Sequence, residues 1–286
     1  MNNLDKFYTK PNIAKQCFCF LQKYYPSISK EYFLEPSAGS GNFLPFLNQY
    51  EAFDIKPEGK NITQANFLTL ELPRNDYVTI GNPPFGKRSK LAIDFFNHAA
   101  KYSKIIAFIV PVSFMKWNVQ KELDKNFSLL AYQYLPENSF TDNGKDFSIR
   151  CVFQIWTKEH ITHNLRLLKS PPIKHKDFNL WQYNATPEAM KYIDENWKYA
   201  LYRQGYKDYS KIFTKNDYLK ILEDMKKNRQ FFFIEPLTKQ AEQFVLEADF
   251  EGLALRNTST PGFGKADFIS YYQEWERSNY ENLSCR

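Results

Sequence analysis

The stretch Asp76-Tyr-Val-Thr-Ile-Gly-Asn-Pro-Pro-Phe85 reads as a short apolar strand cut off by Asn82-Pro83-Pro84-Phe85. Proline lacks the N–H that a strand ladder needs, so the strand must end there in a stiff turn. About forty residues earlier, a second strand runs into a glycine turn, Phe33-Leu-Glu-Pro-Ser-Ala-Gly-Ser-Gly-Asn-Phe43. Downstream, Lys104-Ile-Ile-Ala-Phe-Ile-Val-Pro111 is the continuous apolar run expected of a buried parallel strand.

The segments between these strands set the fold class. Pro11 to Tyr25 carries Ile13, Cys17, Phe20, Leu21 and Tyr24 at helical spacing, with proline in the first turn. Strands are expected at Glu31–Glu35 and Tyr50–Ile55, with a short helix starting at Asn42 between them. Leu91–Tyr102 reads as a helix and Ile149–Trp156 as a late strand closing the sheet. This alternation predicts a doubly wound, Rossmann-like α/β sheet. Charged residues around Pro171-Pro172 mark a boundary within residues 160–176. Residues 1–160 then form one domain and residues 177–286 a smaller α+β domain. Phe231–Ile234 is a candidate strand of the second domain and Gln240–Leu246 a candidate helix.

Composition narrows the class. The chain has 286 residues, 43% hydrophobic and 17% aromatic, enough for a sizeable core. A net charge of +6 suits a polyanionic partner and equally a solvated basic surface. Cys17, Cys19, Cys151 and Cys285 form no CxxC pair, and the first residues lack an apolar signal core. The expectation is a cytoplasmic protein with reduced thiols. His160 and His163 have no cysteine or acidic ligands nearby, so no metal site is expected. No apolar run is long enough to span a bilayer.

The glycine turn sits where open α/β sheets bind ligands, beyond the carboxyl end of a strand. Gly39 and Gly41 permit close backbone approach, and Ser37, Ala38 and Ser40 keep the turn open. The following helix N-terminus could meet a carboxylate. Glu35 would repel a phosphate and attract a cation. That disfavours a nucleotide phosphate and favours S-adenosylmethionine, which carries ammonium and sulfonium charges. Asp54 could accept from two ribose hydroxyls, or be an ordinary strand-end aspartate. Phe67 could cover an adenine ring and Asn66 bond its edge; a core phenylalanine beside a loop asparagine is the alternative.

Asn82-Pro83-Pro84-Phe85 suits a planar amine. The lone pair of an exocyclic amine is delocalised into its ring until two acceptors draw the N–H bonds out of plane. The Asn82 side-chain carbonyl and the Pro83 backbone carbonyl could do this, held in place by the two prolines. Phe85 could stack on the base. Lys87 and Arg88 could meet backbone phosphates or simply be solvated.

At these residues the chain resembles the N6-adenine DNA methyltransferases, over roughly its first half by motif placement. Asp5-Lys-Phe-Tyr-Thr-Lys-Pro11 is similar to the family's amino-terminal cofactor motif, which implies cofactor contacts from Phe7 and Thr9. Glu35–Phe43 resembles its glycine loop, Asp54 its ribose-binding acid and Asn82–Phe85 its catalytic tetrapeptide. The motif order is similar to the gamma arrangement, with target recognition after catalysis. The resemblance implies a class I methyltransferase fold, S-adenosylmethionine as cofactor, DNA as partner and a base flipped from the duplex. It also implies that Phe140 stacks on that base, with Phe147 and Phe153 as rivals. Lys10 stands where proline is common, Asn66 where aspartate is commoner and Phe85 where tyrosine is commoner. The phenylalanine form also occurs in some guanine-N2 RNA methyltransferases. RNA, a protein glutamine amide, and a noncatalytic nucleic-acid-binding subunit therefore stay open. Residues 177–286 carry polar-aromatic clusters, Trp181, Tyr183, Arg203, Gln204, Tyr206 and Tyr209, and a loop at Arg256–Lys265, without a motif that fixes chemistry.

Overall fold

The computed structural model describes residues 7–142, 144–205, 208–256 and 260–284, with side chains as far as residue 276. Asp5, Tyr206, Asn257 and Cys285 lie outside the described residues. The chain divides into two compact units, residues 1–169 and 170–286.

The first unit contains strands β1 (Tyr8–Thr9), β2 (Tyr32–Glu35), β3 (Gln49–Asp54), β4 (Thr63–Gln64) and β5 (Tyr77–Gly81). It continues with β6 (Ser103–Pro111), β7 (Ser128–Tyr134), β8 (Phe140–Asp142), β9 (Lys145–Phe147) and β10 (Cys151–Thr157). Its helices are α1 (Pro11–Tyr24), α2 (Lys90–Ala99) and the single turn α3 (Trp117–Gln120). Seven strands form one sheet in the order β4-β3-β2-β5-β6-β10-β7. The β4, β3, β2, β5 and β6 neighbours run parallel, and β10 is antiparallel to both β6 and β7. This is a Rossmann-like doubly wound sheet with an antiparallel pair of strands at one edge, as the alternation of elements predicts.

Side-chain alternation explains how the two faces are covered. Phe153 and Trp156 point to opposite faces of β10. Phe20 of α1 meets Phe153, and Phe96 of α2 meets Trp156 edge-on. The helices therefore lie on opposite sides of the sheet. The parallel strands β5 and β6 are buried almost end to end, which is why they read as unbroken apolar runs.

The sheet order reverses at β2 and β5. β2 hands the chain to the glycine turn and β5 hands it to Asn82–Phe85, so both turns leave the same edge, side by side. A small sheet, β1-β8-β9, brings the amino-terminal segment to this edge, with Thr9 paired to Phe140.

No α-helix follows the glycine turn. The expected helix from Asn42 is a single 3₁₀ turn, Leu44–Phe46, with Pro45 inside it. Only residues 42–48 separate the turn from β3, and proline removes one of their N–H donors. A helix-dipole site for a carboxylate is therefore absent here.

The second unit is a four-stranded antiparallel sheet, β11 (Phe178–Tyr183), β14 (Gln230–Pro236), β12 (Tyr199–Gln204) and β13 (Ile212–Phe213), in that order. Helices α4 (Tyr218–Lys226), α5 (Lys239–Glu247), α6 (Phe250–Leu255) and α7 (Lys265–Ser284) accompany it. Phe231, Phe232, Phe233 and Ile234 are all buried, so both faces of β14 are covered. Among the described residues, no helix is long and apolar enough to cross a membrane and no cluster of ligands could hold a metal ion.

Candidate active site

A cavity of about 320 Å³ opens where β2 and β5 end. It is lined by Phe7, Thr9, Glu35, Ser37, Gly39, Asp54, Asn66, Phe67, Asn82 and Pro84, among others. The structure thus brings ten of the sequence-predicted residues to one space. Gly41, Pro83, Phe85, Phe140, Lys87 and Arg88 lie outside its wall.

Hydrogen bonds among the two turns and the end of β3 hold the cavity's shape. The Gly39 N–H donates to Asp54 Oδ2 at 2.8 Å, and the Lys56 N–H donates to Asp54 Oδ1 at 2.8 Å. Each carboxylate oxygen keeps a further lone pair. The Ser37 hydroxyl donates to the Asn82 backbone carbonyl at 3.2 Å and so couples the glycine turn to the proline turn. Gly39 has φ +54°, and a Cβ there would stand 2.9 Å from the Tyr8 ring. Glycine is required at this position both by conformation and by the close approach of β1.

Three side-chain atoms of the wall are buried without a hydrogen-bond partner among the described residues: Thr9 Oγ1, Glu35 Oε2 and Asn82 Oδ1. Buried polar atoms are nearly always paired, so this concentration marks a place built for a polar, cation-bearing ligand. Glu35 is 2% exposed. Burial, and secondarily the charge of Asp54, pushes its carboxyl up to about 8. A positive charge placed beside Oε2 would restore the ionised form.

Asn66 is more constrained than its sequence implied. Its Oδ1 accepts from the Leu68 N–H at 3.2 Å, as the cap of the following 3₁₀ turn. That oxygen keeps one further lone pair. Phe67 is 1% exposed, wedged against Phe95 and the edge of His98 at centroid distances of 5.4 and 4.8 Å. It closes one wall of the cavity from within the core.

The aromatic assignments change. Phe140 is fully buried and offers no face to an incoming base; its backbone pairs with Thr9 and its ring lies edge-on to Phe7. Phe153 is equally buried, beneath α1. Phe147 is partly exposed. Phe85 is 4% exposed and capped by Phe7 at 5.1 Å. Lys87 and Arg88 are exposed, just past Gly86 on the same turn, and Arg88 adopts φ +54°.

Among the wall residues that escaped the sequence reading are Tyr8 and Asn42. Tyr8 lays its ring over Gly39 and donates its hydroxyl to Glu58 Oε1 at 2.6 Å. Asn42 donates from Nδ2 to the Thr9 carbonyl at 2.7 Å. Both flank predicted residues, and an aromatic preceding Thr9 was the one available signal for Tyr8.

No protein-family model and no protein of curated function matches the chain. Among solved structures, it is similar to a candidate RNA methyltransferase from Pyrococcus horikoshii, with 16% identity, a TM-score of 0.43, and coverage of 54% of this chain and 87% of that one. It is also similar to a type I restriction-modification methyltransferase subunit from Streptococcus thermophilus, with 15% identity, a TM-score of 0.42, and coverage of 90% and 60%. A modification subunit of a candidate type I restriction enzyme from Vibrio vulnificus gives 16%, 0.42, 82% and 56%. The chain thus spans 56–60% of the length of the two restriction-type subunits. Likeness at this level says nothing of substrate.

Proposed function

We propose that this protein transfers a methyl group from S-adenosylmethionine to the N6 amine of adenine in DNA, on a base turned out of the duplex. The observation that carries the reading is the shared cavity of the two turns, with Asn82 Oδ1 buried and unpartnered at one side and Glu35 Oε2 at the other.

The wall fits this cofactor. Asp54 faces the cavity with lone pairs to spare for ribose hydroxyls. Glu35 and Thr9 present acceptors to an ammonium group. Gly39 removes the side chain that would obstruct close approach. When bound, the cofactor supplies an electrophilic methyl group on a sulfonium.

The chain's own contribution is to hold the acceptor amine. Asn82 Oδ1 accepts one N–H of the amine, which localises the nitrogen lone pair toward the methyl donor. Pro83 and Pro84 fix the turn, and Ser37 pins its backbone through the Asn82 carbonyl, so little reorganisation is needed. Lys87 and Arg88, exposed beside the turn, are proposed to meet phosphates of the strand carrying the base. The second unit is proposed to bind the flanking duplex.

The test is incorporation of tritiated methyl groups from S-adenosylmethionine into duplex DNA, RNA and protein, with digestion of the labelled polymer. N6-methyladenine from DNA is expected. Label in RNA or in protein glutamine instead of DNA would replace this substrate with another. Asn82→Ala should lower transfer by about 10²–10³-fold while cofactor affinity stays close to wild type. Equal turnover in that variant would remove Asn82 from the chemistry.

A further inference from the structure

The Phe7 ring lies at the centre of an aromatic cluster. It is stacked on Phe147 at 5.2 Å and 24°, and meets Phe85 and Phe140 edge-on at 5.1 and 5.2 Å. Phe85 belongs to the turn that carries Asn82, and Phe147 to the β8–β9 hairpin. Phe7 also lines the cavity that holds Asn82 Oδ1. A planar six-membered ring therefore already stands between the hairpin and the proline turn, next to an unsatisfied amine acceptor.

Phe7 carries no polar atom, so it fills the shape of this slot without answering Asn82. Its partners Phe85 and Phe140 are both buried and meet its ring edge-on. Withdrawing Phe7 would expose an apolar slot with one flat wall, Phe147, and one hydrogen-bond acceptor at its end. A heteroaromatic ring bearing an exocyclic amine matches both features; an aliphatic amide matches only the second.

The segment that holds Phe7 is short and its anchors are separable. β1 pairs with β8 over two residues, Tyr8 bonds Glu58, and Lys10 pairs with Asp146. Phe7 lies just outside the strand pairing, so a rotation of its side chain would break no ladder hydrogen bond of Tyr8 or Thr9.

We infer that Phe7 is a resident stand-in for the acceptor ring, filling the slot between Phe85 and Phe147, and that a purine base must displace it to reach Asn82. This rests on the proposed reading of the site as a methyltransferase of a nucleobase, and adds a gate to it.

The experiment measures binding of free 2-aminopurine riboside to the full-length protein by fluorescence quenching, beside the affinity for S-adenosylmethionine. Phe7→Ala should bind the purine about tenfold more tightly than wild type. Phe7→Ala/Phe147→Ala should lose that gain, because the stacking wall is gone. Equal purine affinity in wild type and Phe7→Ala, both of which bind the cofactor, overturns the gate. If Phe7→Ala does not fold, Phe7→Trp serves: its indole emission should shift to the red when duplex DNA is added to the cofactor complex, and an unshifted spectrum during turnover overturns the gate. The two claims fail separately. Wild type that labels no nucleic acid, with purine binding released by Phe7→Ala, refutes the substrate and keeps the gate. Wild type that methylates DNA, with Phe7→Ala unchanged in purine affinity and in KM for DNA, refutes the gate alone.

Discussion

The segment around Arg166 and the cavity floor around Glu35 each bury an ionisable side chain, and they treat it in opposite ways. Arg166 donates to four backbone carbonyls, those of Gln120, Leu123, Asp124 and Phe127, and lies over Trp156. Glu35 has a carboxylate oxygen with no partner among the described residues. The first arrangement ties Arg166 to the α3 region and the residues after it, and it occupies all four Nη–H donors. The second leaves a polar atom waiting. The second unit follows the pattern of Arg166. Asp224 accepts from Tyr202 and pairs with Lys220 and Arg229, and Asp177 accepts from Tyr272 beside His175. Satisfied burial builds scaffold, whereas unsatisfied burial gathered on one wall marks the site.

The largest effect on stability should come from breaking the satisfied member. Arg166→Met strips the donors from four carbonyls and should cost about 3 kcal/mol in urea unfolding. Arg166→Lys should recover only part of this, because an ammonium cannot span the fork. If Arg166→Met were as stable as wild type, the contrast with Glu35 would dissolve.

Glu35 should respond to pH in two linked ways. Its carboxyl sits at about 8 in the folded chain against an ordinary value of 4.5, so the folded state holds the proton longer than the unfolded state. Stability of the cofactor-free protein should therefore be full below pH 4.5 and decline as pH rises toward 8. Glu35→Gln should flatten that decline. Binding of the cationic cofactor expels the proton, so its affinity should rise with pH, by up to about 50-fold between pH 6 and 8, and level off above. Neutral 5′-methylthioadenosine should show no such slope. Equal slopes for both ligands would take Glu35 out of the cation's reach.

A smaller change is expected from Asp54→Ala. Cofactor affinity should fall about tenfold through the lost ribose contacts and the loosened Gly39 turn. An unaltered dissociation constant by calorimetry would limit Asp54 to a role in the turn.

The core of the first unit was legible because its buried parallel strands leave unbroken apolar runs and its turns are fixed by residues with little choice. The strand 104–111 was found as Ser103–Pro111 and the helix 11–25 as Pro11–Tyr24. The strand β7 was not seen. It is an edge strand, half exposed along its length, so it lacks the apolar run of its neighbours. The helix after the glycine turn was expected from the general βα pattern, and Pro45 with the short connection overrode it. That Asn82, Asp54 and the glycine turn meet at one cavity was legible from residue type and spacing. The burial of Phe140 and the partner of Asn66 Oδ1 were not, because both depend on which strand pairs with β1 and on one local turn. Sequence names a ring; only packing tells whether its face is free.

The central claim is that one cavity holds the methyl donor and the amine acceptor together. Sinefungin, which carries an amine where the cofactor carries its methylsulfonium, measures this directly. In a crystal structure of its complex, that amine is expected within about 3 Å of Asn82 Oδ1, with the adenosyl ribose on Asp54. An adenosyl group bound elsewhere, or an Asn82 side chain turned away from that amine, would contradict the account.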